Sequence, residues 1–305
     1  MSRTVTVGLD GSPESRAAAD WAAREAVLSA AALRVVYAGE QQPSSYVPFG
    51  GEDVPPPGTD RAERLVRDAE NALAHRHPGL RVTAERLPGR PTAALLEAAR
   101  DTDILVLGSR GLGRAAGYLL GSVATTVVSK AERPVALVRA GTGPADERRP
   151  DATGTVSGTG PYMDVVVGLE LHDQTHDDVL RFAFEAAARR AAGLKVVHGW
   201  RLPPYGTVWA GAPDEVQQDE LEARGQQTLD ALLEPWRAKY PGVEVTEEAV
   251  VGQAGAHLVD ASRDASLVVV GRRSRGTAMV GALIGPVTHE VLRNAETPVV
   301  VVPHD

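Results

Sequence analysis

The same order of sequence features occurs twice in the chain, about 160 residues apart. In each half, short apolar runs alternate with alanine-rich segments of helical composition. The matching pairs are VTVGLD at 5–10 with VVVGLE at 165–170, RVV at 34–36 with KVV at 195–197, LVLG at 105–108 with VVVG at 268–271, and AERPV at 131–135 with AETPV at 295–299. Matches in one fixed order indicate two copies of a single domain.

Strands that alternate with helices pair in parallel through right-handed crossovers, so each copy is predicted to be an α/β domain with a parallel sheet. In the first copy the pattern predicts five strands, at 4–9, 33–38, 81–87, 104–107 and 134–139. An alanine-rich helix is predicted over 14–32 and a charged helix over 61–77. We predict domains at 1–140 and 162–305, separated by a linker at 141–161 that has no periodicity.

Composition excludes several classes of protein. The 305 residues suffice for two domains, and the net charge of −8 argues against a nucleic-acid surface. The absence of cysteine excludes disulfides and thiolate zinc sites, and favours the cytoplasm. No apolar run approaches the roughly 18 residues that a transmembrane helix needs, so we predict no membrane partner.

A glycine-rich segment follows the apolar run 104–107, whose strand is predicted to end at Gly108. Gly108 and Gly111 are separated by two residues, and nine further residues precede Gly121 and Ser122, where a helix is predicted to start. Glycines let backbone amides approach a phosphate closely, and the positive end of a helix dipole attracts its charge. Positive charge in the segment comes from Arg110 and Arg114. The pattern favours a phosphate-binding loop.

Two better-known phosphate loops fit less well. No Gly-Lys-Ser/Thr closes the segment, so it is not a P-loop. Gly111, Gly113 and Gly117 resemble a spread dinucleotide fingerprint, but that fingerprint follows a first strand, whereas Glu132 here precedes a late one. A solvent loop without a ligand also remains open.

The spacing Gly-x2-Gly-x9-Gly-Ser after a late strand resembles the nucleotide motif of the universal stress protein family, and VGLDGS at 7–12 agrees with it. The resemblance covers both halves, as a tandem form. It implies two doubly wound, five-stranded, Rossmann-like sheets of the adenine nucleotide alpha hydrolase-like type, with strand order 3-2-1-4-5. It also implies ATP in the crevice between the first and fourth strands.

The resemblance assigns roles in the first half by position. Asp10 would contact the nucleoside, Val36 or its neighbour would recognise adenine through the backbone, and the glycine segment would hold the phosphates. The implied ATP-binding residues are Gly8, Asp10, Val36, Gly108, Ser109, Arg110, Gly111, Gly113, Arg114, Gly121, Ser122 and Val123.

The second half departs from this pattern. Glu170 replaces Asp10, and Leu171-His172 stand where Gly11-Ser12 stood. Pro286 follows Gly285 and lacks both an amide hydrogen and a hydroxyl, so two potential phosphate donors are lost. A weaker site is predicted there, and its residues are Gly168, Glu170, Gly271 and Gly285.

No nucleophile with a matching base is recognisable, so we predict no catalytic residue. Ser12 is interpreted as the N-cap of a helix whose first residue is Pro13. His172 and His176 lie among aspartates, a cluster that suits either a metal or the start of a helix. Asp10 is the candidate for holding Mg²⁺ together with phosphates.

The leading hypothesis is an ATP-binding, non-catalytic regulator of the stress response whose nucleotide state alters its conformation or partners. A slow ATPase that uses the same crevice and a nucleotide-free dimerisation scaffold are the alternatives. The final strands of the halves, near 135–138 and 299–302, are apolar, and open strand edges invite pairing. Family resemblance thus implies an intrachain pseudo-dimer of the two halves, with a homodimer as a further possibility.

Overall fold

The computed structural model describes residues 3–39, 59–109, 121–170, 176–200, 215–251, 253–274 and 284–304. The chain divides into two compact units, Met1–Gly143 and Pro144–Asp305. Among the described residues, no helix combines the length and apolar character that crossing a bilayer requires.

The first unit is a parallel sheet with helices in its crossovers. Its strands are β1 (Thr4–Gly8), β2 (Ala32–Ala38), β3 (Val82–Leu87), β4 (Ile104–Ser109) and β5 (Val135–Arg139). Its helices are α1 (Pro13–Leu28), α2 (Thr59–Arg76), α3 (Pro91–Arg100) and α4 (Ser122–Lys130). The strand order is β3-β2-β1-β4-β5, and each neighbouring pair is parallel, which confirms the predicted 3-2-1-4-5 order.

Local sequence explains most of these elements, with two differences at their ends. The apolar run that starts β4 is buried, as expected for a central strand of a parallel sheet. However, β4 continues to Ser109, and Gly108 pairs with Val138 on β5, so Gly108 lies within the strand instead of ending it. Helix α1 ends four residues before the predicted 32, because Ala30 takes a left-handed conformation (φ 50°).

His77, directly after α2, gives the first unit a pH-sensitive group. Burial, followed by the charges of Arg76 and Arg24, lowers the pKa of His77 below its ordinary 6.5, while Asp20 opposes this effect. The unfolded chain therefore takes up this proton at a higher pH than the folded chain does. We expect the free energy of unfolding to fall as pH drops below about 6.5, and to fall less steeply in His77→Gln. Urea unfolding at several pH values measures both slopes, and equal slopes would contradict the assignment.

The second unit repeats the architecture. Its strands are β6 (Asp164–Leu169), β7 (Leu194–Trp200), β8 (Val245–Val251), β9 (Ala265–Arg273) and β10 (Val299–His304). Its helices are α5 (Asp177–Arg190), α6 (Glu215–Lys239), α7 (Ala254–Ala261) and α8 (Pro286–Asn294). The strand order β8-β7-β6-β9-β10 is again 3-2-1-4-5, and neighbouring strands are parallel.

Part of the segment predicted as a linker has a local structure. A short 3-10 helix spans Pro144–Glu147, and an antiparallel bridge joins Arg148 to Tyr162. The guanidinium of Arg148 lies 3.3 Å from the centroid of the Tyr162 ring, and the ring is buried. These contacts belong to the second unit, which begins at Pro144.

Candidate functional site

The strand order locates a crevice in the first unit. β1 has β2 on one side and β4 on the other, so the crossovers on either side of β1 run in opposite directions. In open α/β sheets, ligands bind at such a switch point, outside the carboxyl ends of the strands. The crevice between β1 and β4 is therefore the candidate site.

Asp10 stands at this crevice in a defined turn. Its Oδ1 accepts a hydrogen bond from the Ser12 amide at 2.9 Å, and its own amide donates to Ser15 Oγ at 3.3 Å. The Ser12 hydroxyl accepts from the Ser15 amide at 3.1 Å, which confirms Ser12 as the N-cap of α1. Asp10 itself is exposed, so its carboxylate is both oriented and accessible to a ligand.

The glycines that border the crevice have a packing role. A Cβ on Gly108 would lie 2.6 Å from the carbonyl carbon of Glu14 and 2.7 Å from the amide nitrogen of Ser15. A Cβ on Gly8 would lie 2.7 Å from Leu107 Cδ2. Both glycines let neighbouring atoms pack against the sheet, which is a reason for glycine that does not involve a ligand.

Two other predicted contacts are engaged within the sheet. The carbonyl of Val36 accepts a hydrogen bond from the Leu9 amide at 2.8 Å, and Val36 is fully buried. The Ser109 hydroxyl donates to the Val138 carbonyl at 3.3 Å, and Ser109 is buried as well. Side-chain recognition of a ligand by these two residues is therefore disfavoured, and backbone recognition at the end of β2 would involve residues beyond Val36.

The start of α4 offers amide groups. Gly121 is its N-cap in an extended conformation (φ −60°, ψ 150°), and no side chain makes a cap hydrogen bond there. Ser122 is exposed and Val123 is half-buried. The first amides of a helix have no partner within the helix, and together with the helix dipole they suit an anion. The four other predicted phosphate contacts, Arg110, Gly111, Gly113 and Arg114, lie outside the described residues.

In the second unit, the corresponding crevice lies between β6 and β9 and is lined differently. Glu170, the counterpart of Asp10, forms an ion pair with Arg273 at 3.4 Å. Arg272, which occupies the place of Ser109, is buried, and this burial lowers the pKa of its guanidinium. Its Nη1 donates to the Arg273 carbonyl at 3.3 Å. The acidic residue at this crevice is thus paired with an arginine, whereas Asp10 holds the turn before α1.

The helix that faces the second crevice also differs. Gly285 is an extended N-cap without a side-chain hydrogen bond, but Pro286 follows it and has no amide hydrogen to offer. Thr288 anchors this turn, because its Oγ1 donates to the Gly271 carbonyl at 3.0 Å. The other two predicted glycines lie against side chains: a Cβ on Gly271 would be 2.8 Å from His304 Nε2, and one on Gly168 would be 2.6 Å from Leu258 Cδ1.

Sequence reasoning missed a buried histidine at the second crevice. His198 is 1% exposed, and its Nδ1 lies 3.0 Å from the Leu169 carbonyl at the end of β6. The repeat contained the signal, since His198 is the counterpart of Tyr37 one residue after the matched RVV and KVV segments. Of the histidine pair considered for a metal, His176 is buried before α5, and His172 lies outside the described residues. Within the described ranges, no three histidine, aspartate or glutamate side chains form a group suited to a metal ion.

A comparison with known protein families identifies the family of this chain. The profile described as "Universal stress protein family" matches residues 1–139 and 161–303, one match for each unit. The chain belongs to the universal stress protein family. A curated universal stress protein of Mycobacterium tuberculosis is 31% identical over 97% of this chain and 95% of its own length. One from Mycolicibacterium smegmatis is 30% identical, over 98% and 96%.

Solved structures agree on the fold of this universal stress protein. A universal stress protein from Archaeoglobus fulgidus superposes with a TM-score of 0.65, and the match covers 99% of each chain. The two sequences are 15% identical, so this likeness concerns the fold alone. The tandem arrangement predicted from the repeat is confirmed by the two family matches, one in each unit.

Proposed function

We propose that the first unit of this universal stress protein binds ATP at the β1–β4 crevice, and that the bound nucleotide regulates the protein's conformation or partners in the stress response. The observation that supports this most is that the oriented Asp10 carboxylate and the start of α4 follow β1 and β4, the two neighbouring strands of a topological switch point, at the same edge of the sheet. The Gly-x2-Gly-x9-Gly-Ser spacing connects β4 to that helix. A polyphosphate suits the helix start, and a nucleoside hydroxyl suits the carboxylate.

Mg²⁺ fits the same arrangement. Asp10 is exposed and offers carboxylate oxygens, which this ion prefers together with phosphate oxygens and water. The ion would neutralise phosphate charge next to an acidic residue. We propose no catalytic step, because hydrolysis requires a base that positions the attacking water, and no residue is assigned that role.

The site is tested by measuring nucleotide in the purified chain. Wild-type protein is loaded with Mg-ATP, desalted and then denatured, and we expect it to release about one ATP per chain. The reason is that the first unit alone combines the glycine spacing with a helix start that has no side-chain cap and retains its first amide. Asp10→Ala removes the oriented carboxylate, and we expect ATP to bind at least about tenfold more weakly. Chromatography with mass spectrometry identifies and counts the nucleotide.

Glu170→Ala is the matched control, since it removes the corresponding carboxylate of the second unit. We expect it to leave the ATP content unchanged. Equal ATP affinity in wild type and Asp10→Ala, or a larger loss in Glu170→Ala, would contradict the site. ADP that accumulates with time in wild type but not in Asp10→Ala would favour the slow ATPase instead, and absence of any uptake would favour the scaffold.

A further inference from the structure

Helix α2 packs beside the turn that holds Asp10. Gly11, in the left-handed region at φ 84°, follows Asp10, and a Cβ on it would lie 3.4 Å from Leu65 Cδ2 and 3.5 Å from Leu65 Cδ1. Leu65 belongs to the second turn of α2. The beginning of α2 is therefore a neighbour of the candidate ATP site, although about 50 residues separate Gly11 from Leu65 along the chain.

A second contact fixes the direction of α2 along α1. Near the other end of α2, Arg76 Nη1 lies 2.5 Å from Asp20 Oδ1 on α1. Leu65 thus meets the start of α1, and Arg76 meets its middle. The two helices run side by side in the same direction, so α2, like α1, begins at the carboxyl edge of the sheet where the crevice lies.

The helical repeat then locates two arginines. Ala62, Val66 and Leu73 are buried and define the face of α2 that packs on the unit. Arg61 lies one turn before Leu65 on the same stripe, roughly 6 Å further toward the carboxyl edge. Arg64 lies roughly 100° around the helix from Leu65, in the direction away from the buried Val66. Both arginines are exposed, so their long side chains can extend over the Asp10 turn.

The charge of the ligand favours additional cationic groups beside Mg²⁺. ATP is strongly anionic, whereas Asp10 is acidic, and a carboxylate beside the phosphates disfavours their binding. A guanidinium group donates paired hydrogen bonds to phosphate oxygens and stays charged at every physiological pH. Arginines on α2 would offset this negative charge from the side of the Asp10 turn.

We infer that Arg61 and Arg64 are phosphate-binding residues of the first unit and set its preference for nucleotides over nucleosides. The inference rests on the proposed ATP site and adds a second cationic element to it. The arginines act through charge and donated hydrogen bonds, so they stabilise bound ATP and leave bound adenosine almost unaffected.

The test compares ATP and adenosine affinities of full-length variants by isothermal titration calorimetry with Mg²⁺ present. We expect the double variant Arg61→Gln/Arg64→Gln to bind ATP about tenfold more weakly than wild type. Its ATP affinity should also fall less than that of wild type as NaCl is raised from about 0.05 to 0.5 M. Adenosine should bind within about twofold of wild type, since it has no phosphate. The double lysine variant should recover part of the lost ATP affinity, because it restores charge without the paired donors.

Arg67→Gln is the matched control. Arg67 is exposed on the same helix, but it lies roughly 200° around from Leu65 and so points away from the crevice. Unchanged ATP affinity in the double glutamine variant, an equal loss in Arg67→Gln, or an equal loss of adenosine affinity would each overturn the inference. A wild-type chain that binds neither ligand would overturn the proposed function together with it, whereas wild-type binding with an unaltered double variant overturns the inference alone.

Discussion

Gly108→Ala is expected to lower the free energy of unfolding of the first unit by about 3 kcal/mol. The added Cβ would lie 2.6 Å from a backbone carbon of Glu14 and 2.7 Å from the backbone nitrogen of Ser15. Backbone atoms of a helix cannot rotate away as the end of a side chain can, so α1 must shift as a whole. Because the Ser12 cap and the Asp10 turn precede this point, the same shift should reduce retained ATP. Urea unfolding and the nucleotide assay measure the two effects.

Gly242→Ala is the control for the substitution itself. Apart from its neighbours in the chain, a Cβ at Gly242 would have no atom within 4 Å, so the free energy of unfolding of this variant should change by less than about 1 kcal/mol. A Gly108→Ala chain as stable as Gly242→Ala would show that α1 does not approach β4 as closely as described. Loss of ATP with unchanged stability would instead favour a direct ligand contact at Gly108.

Phe184→Ala is expected to destabilise the second unit by about 3–5 kcal/mol. Phe184 on α5 is fully buried, and its ring stacks on Trp236 of α6 and on Tyr240, the residue after α6, with centroid distances of 5.7 and 5.5 Å. Truncation leaves a cavity and removes both ring contacts, which relaxation of the neighbours only partly offsets. Urea unfolding followed by circular dichroism and by tryptophan fluorescence measures the loss.

Val156→Ala is the control for Phe184→Ala, because Val156 is an apolar residue of the same unit that is 43% exposed. We expect its free energy of unfolding to stay within about 0.5 kcal/mol of wild type. Phe184→Leu keeps part of the buried volume, so its free energy of unfolding should lie between those of Phe184→Ala and Val156→Ala. A loss below about 1 kcal/mol in Phe184→Ala would contradict the aromatic packing of α5 on α6.

The local sequence pattern determined the secondary structure elements and the division into two units. Apolar runs such as 104–107 predict buried strands because residues at the centre of a parallel sheet are covered on both faces. The Ser12-Pro13 pair predicts the start of α1, because its cap hydrogen bond forms within a few residues. The repeat predicts two units, and the glycine spacing points to the family. Each of these features can be recognised in the sequence without knowing which distant segments are in contact.

The strand order is different, because it depends on pairing between distant segments. Val5 pairs with Ile104, and no local propensity records that β4 lies next to β1. The predicted order came from family resemblance, and the structure confirms it. The crevice exists only because of that pairing, so the location of the candidate site is a property of the fold.

Tertiary packing also decided what individual residues at the site do. Gly108 looked like a ligand contact in sequence, yet it lies within β4 where the backbone of α1 passes. Arg272 follows Gly271 of the predicted second site, and its side chain is buried at the end of β9. No motif marks Arg61, and the inference that it lies beside the crevice depends on two contacts between distant segments, Leu65 with Gly11 and Arg76 with Asp20. Sequence determined the elements and the residue types, whereas contacts between segments far apart in the chain decided which side chains share a site.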